Sequence, residues 1–163
     1  MPILCNHCTE PSCVDVCPTG ATARREDGLV WVDYDKCVGC RYCAVACPYQ
    51  ARTYLSDEKE YFPSKGYTAR ELLGRQLYPL QTGTMVKCNF CKERIDAGLE
   101  KGLSPGVDRE ATPACVNACL TKARVFGDLD DPNSEISGMV QTQRAFQLHP
   151  EYSTEPSVYY LRY

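Results

Sequence analysis

CVGCRYCAVACP, residues 37–48, spaces four cysteines as C-x₂-C-x₂-C-x₃-C and follows the last with Pro48. Three thiols two residues apart wrap a loop around three irons of a [4Fe–4S] cubane. The fourth, Cys47, lies about one helical turn beyond the third, and the proline stops simple continuation of that turn. Where such runs come in pairs, the fourth cysteine of each serves the other cluster. Zinc fits this spacing poorly, because it draws four thiolates into one tetrahedron, usually from two separated C-x₂-C knuckles.

A second run lies upstream. CNHCTEPSCVDVCP, residues 5–18, is C-x₂-C-x₄-C-x₃-C-P, with two extra residues between its second and third cysteines, Pro11 falling in that interval. Two runs permit the exchange. Cys5, Cys8 and Cys13 are expected to hold one cluster with Cys47, and Cys37, Cys40 and Cys43 a second with Cys17. The remaining four cysteines, Cys88, Cys91, Cys115 and Cys119, form C-x₂-C and C-x₃-C separated by 23 residues. Alone, that spacing leaves zinc open. Beside two iron–sulfur runs, and with 12 cysteines in all, a third [4Fe–4S] cluster uses every thiol.

The chain also repeats itself. CVDVCPTGAT, CAVACPYQAR and CVNACLTKAR begin at residues 13, 43 and 115, each with an alanine four positions after its second cysteine. Small residues there let a helical turn sit close to a cluster. A short strand is expected after each copy, in TARR with LVWVD, in ARTYL and in ARVFGDL. Glu26-Asp27-Gly28 suits a hairpin turn, since glycine accepts positive φ. The expected fold class is α+β, built of tandem bacterial ferredoxin-like modules with short helices, β-hairpins and long cluster-binding loops. The chain reads as one iron–sulfur domain over 1–163. Within it lie a two-cluster core at 1–55, an insertion at 56–83, a third-cluster module at 84–129, and a helix with a C-terminal arm at 130–163.

The chain has 163 residues and a formal charge of −3. Its cysteine content would suit a disulfide scaffold, but such chains are usually small and secreted, and no apolar leader follows Met1. No run of apolar residues is long enough to cross a bilayer. A cytoplasmic location is therefore the expectation, with thiols bound to metal. No basic block points to nucleic acid. No phosphate loop, Ser/His/Asp set or paired carboxylates stand out, so no catalytic residue is assigned. A structural zinc protein and a free polyferredoxin shuttle remain the alternatives to a bound electron-transfer subunit. Colour separates the first, since iron–sulfur protein is brown and bleaches on reduction. Co-purification separates the second.

CNHCTEPSCVDVCPTGA, REDGLVWVDYDKCVGCRYCAVACPY, KCNFCKERIDAGL and ARVFGDLDDPNSE together resemble the iron–sulfur subunits of the dimethyl sulfoxide reductase family. The resemblance covers most of residues 4–137. It implies tandem ferredoxin-like modules, supports the exchange of fourth cysteines, and implies a non-catalytic subunit that relays single electrons between a soluble donor or acceptor and a large molybdenum or tungsten pterin catalytic subunit. Two departures stand out. The family carries four cysteine groups, and this sequence begins at what corresponds to the second. Leu120 follows Cys119 where the family has proline. Together they suggest that Cys119 closes its own third cluster; the alternative is that a preceding segment is lacking. A chain with three such groups is also similar to the small electron-transfer subunit of tungsten-dependent class II benzoyl-CoA reductase. Small subunits of other tungsten aldehyde oxidoreductases compete with that likeness.

Between the groups, residues 56–83 form a long connection with Tyr61, Phe62, Leu72, Leu73 and Leu77, suited to packing on its own clusters or to docking on a partner. Thr68 with Glu71 reads as a capping box. Residues 92–114 read as a polar loop, and a helix is expected to start at Asn133 or Ser134. The aromatic tail reads as an extended arm. Lys36, Arg41 and Lys87 lie beside ligand cysteines, where a positive charge would favour the reduced cluster. His7, inside the first loop, reads as a hydrogen-bonding residue, because the cysteine count needs no substitute.

Overall fold

The computed structural model describes residues 4–62, 65–142 and 144–162. Its elements are short helices and two-stranded antiparallel sheets, an α+β mixture as expected. Backbone contacts group the chain into two units. One comprises Met1–Cys5, Pro11–Arg25 and Val30–Lys87; the other comprises Asn6–Glu10, Glu26–Leu29 and Cys88–Tyr163.

In the first unit, α1 (Ser12–Asp15) and α2 (Tyr42–Ala46) are the turns between the third and fourth cysteines of the first two groups. The Ser12 hydroxyl donates to the Ala46 carbonyl at 3.0 Å, tying one turn to the end of the other. Strands β1 (Thr22–Arg24) and β2 (Val30–Val32) pair with Thr22 opposite Val32. Strand β3 (Thr53–Tyr54) pairs with β4 (Met85–Val86) across the whole 56–83 connection. The ends of that connection are closed by Leu55 N–H to Thr84 O at 3.0 Å and Gly83 N–H to Leu55 O at 2.7 Å. The excursion is therefore the loop of a hairpin. Inside it, α3 (Ala69–Leu77) starts with the capping box read from sequence. The Thr68 hydroxyl accepts from Glu71 N–H at 3.3 Å, and the Glu71 carboxylate accepts from Thr68 N–H at 2.7 Å. Such a cap contributes about 1 kcal/mol. None of the helix is buried.

The second unit contains α4 (Lys92–Glu100), α5 (Ala114–Asn117) and α6 (Glu135–Val140). It also holds β5 (Ala145–Gln147), a 3₁₀ turn at Pro150–Tyr152 and β6 (Tyr159–Leu161). The polar loop expected over 92–114 is in part α4. Ile95 turns inward at 3% exposure. Gly98 packs so closely on Ala111 that a Cβ there would lie 2.3 Å from the alanine Cβ. Gly102, at φ +73°, ends the helix, with Gly102 N–H to Leu99 O and Leu103 N–H to Gly98 O, both 2.9 Å. That pair is a Schellman stop. The helix after Asp131 begins at Ser134, whose hydroxyl accepts from Ser137 N–H at 3.2 Å.

The strand expected over ARVFGDL is absent. Its backbone packs instead on Gly106, where an added Cβ would lie 2.1 Å from the Phe126 carbonyl oxygen. The tail is more ordered than an arm. β5 and β6 pair antiparallel with Phe146 opposite Tyr160. Residues 154–157 are laced to 6–10 by Thr9 N–H to Glu155 O at 2.9 Å, Glu10 N–H to Thr154 O at 3.1 Å and Ser157 N–H to Asn6 O at 2.9 Å.

In the first unit Val30 and Met85 are buried together with the polar Thr22, Arg52 and Thr84; in the second, Ile95 is buried, as are Asn6, His7 and Thr112. Buried polar groups need partners.

Candidate metal centres

In the first C-x₂-C loop of each group, the second residue between the cysteines has positive φ: His7 at 43°, Gly39 at 65° and Phe90 at 54°. That is uncommon for a residue with a side chain. Two unrelated side chains accept it at the same loop position. Such a turn directs successive N–H groups to one side, a concavity suited to an anionic guest. Gly39 has a second reason to be glycine, since a Cβ there would meet the Gly83 carbonyl oxygen at 2.1 Å.

The C-x₃-C segments also repeat. Each is a helical turn, α1, α2 or α5, and each is followed by the same tight turn. Gly20 N–H bonds to Cys17 O at 3.2 Å, Gln50 N–H to Cys47 O at 3.2 Å and Lys122 N–H to Cys119 O at 3.1 Å. All three donors have positive φ. The 88–119 group thus has the backbone of the other two.

Thiols from different runs lie near enough to act on one another electrostatically. Burial pushes the Cys13 thiol up, against the lowering effect of Arg52, and the nearby Cys5 and Cys47 push it higher still. Burial likewise raises Cys43, opposed by Arg52 and reinforced by Cys17 and Cys37. Cys13 therefore has the fourth cysteine of the second run as a neighbour, and Cys43 has that of the first. Donors to sulfur are in place as well. Met85 N–H points to Cys37 Sγ at 3.4 Å, and Thr22 N–H to Cys17 Sγ at 3.4 Å. Burial acts to raise Cys17, but Thr22 and Thr19 outweigh it and bring the thiol down to about 7. Cys40 is exposed and Cys8 half-buried in their loops.

In the last group, Ala114 N–H donates to Cys91 Sγ at 3.5 Å, which joins the Cys88–Cys91 loop to the turn bearing Cys115. Arg94 holds that approach, donating to Thr112 O at 3.0 Å and Arg109 O at 2.8 Å. Cys119 is held as Cys17 is, beside a threonine two residues on and under a backbone N–H, that of Ala123 at 3.2 Å. The Thr121 hydroxyl leads in lowering the Cys119 pKa, and the amides of its own turn assist against burial.

The cations singled out by sequence engage other groups. Lys36 pairs with Asp33 at 3.0 Å, Lys87 donates to the Val30 carbonyl, and Arg41 lies 4.0 Å from the Tyr54 ring centroid. A cation that reaches sulfur is Arg52, which the sequence did not single out. Its Nη2 donates to Cys13 Sγ at 3.1 Å. Burial works against its charge, but Cys13, Cys43 and Cys5 outweigh that and hold it firmly protonated. His7 donates from Nε2 to the Cys88 carbonyl at 3.1 Å, the hydrogen-bonding role expected of it.

The donor set suits iron–sulfur clusters. The thiols in these groups are soft donors suited to iron. Among the described residues, no three His, Cys, Asp or Glu side chains converge as ligands of a single ion would; a cubane spreads its thiolates over four irons. Asn6, between Cys5 and His7, is 1% exposed, and neither polar atom of its side chain has a partner. Such burial costs about 1–3 kcal/mol per unpaired group, and cluster sulfide would accept from its amide.

A family model described as a 4Fe–4S dicluster domain matches residues 1–75, the stretch with the first two cysteine groups. Over 186 residues the chain is 36% identical to the iron–sulfur subunit of arsenate respiratory reductase from Shewanella sp. (strain ANA-3), covering 99% of this chain and 74% of that one. The chain belongs to this family of reductase iron–sulfur subunits. It is 42% identical over 160 residues to the protein assigned as a dimethyl sulfoxide reductase iron–sulfur subunit in Halobacterium salinarum, and 42% identical over 163 residues to a tetrathionate reductase subunit of Salmonella typhimurium. These alignments cover 98% and 99% of this chain but 54% and 51% of the relatives. The chain thus spans about half the length of these two relatives. No described helix is long and apolar enough to cross a membrane.

Proposed function

We propose that the chain is a non-catalytic electron-transfer subunit carrying three [4Fe–4S] clusters. Cys5, Cys8, Cys13 and Cys47 hold the first, Cys37, Cys40, Cys43 and Cys17 the second, and Cys88, Cys91, Cys115 and Cys119 the third. The observation that carries this reading is the tie between the two runs: Ser12, next to Cys13, donates to the carbonyl of Ala46, next to Cys47, at 3.0 Å, and Cys47 acts on the Cys13 thiol as Cys17 does on Cys43. The clusters supply one-electron chemistry. The protein positions them, donates N–H groups to their ligand sulfurs and partly shields their thiolates from water.

One electron enters from a soluble donor and leaves to a large molybdenum or tungsten pterin subunit, or the reverse. The named relatives, subunits of reductases, support that partner. The likeness to benzoyl-CoA reductase small subunits rests on chain length and cysteine count, and the relatives above add nothing to it. A cytoplasmic location belongs to the same proposal. The exposed Tyr61, Phe62, Leu72, Leu73, Leu77 and Leu80 of the excursion form the docking face for the large subunit.

Analysis of anaerobically purified protein tests the reading. Three cubanes require about twelve irons and twelve sulfides per chain. Folded protein with zinc and no sulfide would sink it. One observation favours a variant. Cys119 is held as Cys17 is, and Cys17 is assigned here to the cluster of the other run, so Cys119 can serve a cluster completed by a further cysteine group. In that case this chain alone yields fewer than three complete clusters.

A further inference from the structure

Arg52 follows Ala51 in the second repeat and is 7% exposed. Its two arms lead to different cysteine runs. Nη2 donates to Cys13 Sγ at 3.1 Å. Nη1 donates to Thr22 Oγ1 at 3.1 Å, and Thr22 in turn gives its N–H to Cys17 Sγ at 3.4 Å. On the ligand grouping proposed above, on which this inference rests, Cys13 belongs to the first cluster and Cys17 to the second. One guanidinium thus touches a ligand of one cluster and reaches a ligand of the other through a single intervening residue. Arginine suits the place because its planar fork bonds in two directions and stays charged when buried.

We propose that Arg52 is a shared positioning and tuning residue that sets the reduction potentials of both clusters, the first more strongly than the second. Reduction of a cluster takes one electron from the donor and adds one negative charge. A fixed cation a few ångströms away favours that state, and its effect is strong where water is excluded. Hydrogen bonds to ligand sulfur and local net charge are recognised determinants of these potentials. Both clusters receive the charge; the first has the 3.1 Å donor to Cys13, and the second has the weaker approach of Arg52 to Cys43 and a donor held in place by Thr22. Lys36 pairs with Asp33 and Arg41 stacks over Tyr54, whereas Arg52 is a buried charge bonded directly to a ligand sulfur.

The test compares wild type, Arg52→Gln and Arg52→Lys in the full chain, purified anaerobically. Iron and sulfide are measured first. Redox titration with dithionite is then followed by electron paramagnetic resonance, the signals assigned with Cys5→Ser and Cys37→Ser. Arg52→Gln should lower both midpoints, the first by at least a ten-fold change in its reduction equilibrium, about 59 mV for one electron. Arg52→Lys keeps the charge with one donor arm fewer. It should leave the second midpoint near wild type and lower the first part-way. Unchanged midpoints in a fully loaded Gln variant overturn the proposal, and so does a shift confined to the first cluster. If Arg52→Gln fails to hold iron, the Lys variant decides. Normal loading with the stated pattern supports the proposal; loss of iron there too makes Arg52 a structural cross-link and overturns it. Wild type without sulfide rejects the cluster reading itself, an outcome separate from the others.

Discussion

The imidazole of His7 and the ring of Phe90 stack with centroids 3.7 Å apart and planes inclined by 17°. The two residues hold the same left-handed position in two different C-x₂-C loops. His7 adds a bond from Nε2 to the Cys88 carbonyl, and Phe126 closes the stack edge-on to Phe90 at 5.3 Å. A carbonyl only accepts, so Nε2 carries the proton. His7→Ala is expected to destabilise the iron-loaded chain by about 2–4 kcal/mol, through the lost ring and an unpaired carbonyl. His7→Phe keeps the stack and should cost about 1–2 kcal/mol. Thermal unfolding under anaerobic conditions measures both. Equal stability of the Ala variant and wild type would remove the stack from the account.

The crossing of thiols has a spectroscopic consequence. Cys47→Ser should alter the cluster held by Cys5, Cys8 and Cys13 and leave the signal of its own run intact. Cys17→Ser should do the converse. Electron paramagnetic resonance of the reduced proteins distinguishes the two. If each change disturbs the cluster of its own run, the exchange is wrong.

Cys119 is tested in the same way. If the 88–119 group closes on itself, Cys119→Ala destroys one signal, that of the cluster held by Cys88, Cys91 and Cys115. If Cys119 serves a cluster completed elsewhere, the substitution leaves every signal of this chain as it was. Iron content per chain provides a second reading of the same choice.

On the proposed docking face, Leu72→Glu with Leu77→Glu should release the chain from the proposed large subunit. Both side chains are exposed, so folding stability should change by no more than about 0.5 kcal/mol for each substitution. Specific interfaces commonly bury about 1,200–2,000 Å² in total, and two charges near the centre of one weaken it severely. Size-exclusion chromatography of the co-expressed subunits reads the result. Undiminished co-elution would move the interface elsewhere on the chain.

Much of the local structure was legible where a side chain caps or a glycine turns. Thr68 with Glu71 announced α3, Ser134 announced α6, and Gly28, at φ +82°, turns between β1 and β2. The repeated cysteine spacing carried the loops, because ligand geometry dictates it. Helix α4 was hidden because Lys92, Glu93 and Asp96 make its surface polar while Ile95 and Gly98 alone face inward. Its stop signal at Gly102 was nevertheless in the sequence. ARVFGDL has the residues of a strand, yet a strand also needs a partner, and the place beside it is filled by the turn at Gly106. Arg52 was missed for a related reason. Proximity in sequence drew notice to Lys36, Arg41 and Lys87, whereas Arg52 gains its importance from a residue 39 positions away, Cys13.

The 56–83 excursion leaves and returns through paired strands, with Leu55 bonded to both Gly83 and Thr84. Its two ends are therefore fixed whatever lies between them. Doubling such a loop raises its closure cost by only about 0.6 kcal/mol. The cysteine frame and the excursion are thus free to evolve separately: one answers to the geometry of its ligand spacing, the other, on the proposed function, to the shape of the partner it docks on. A lineage could exchange the adaptor and keep the wiring.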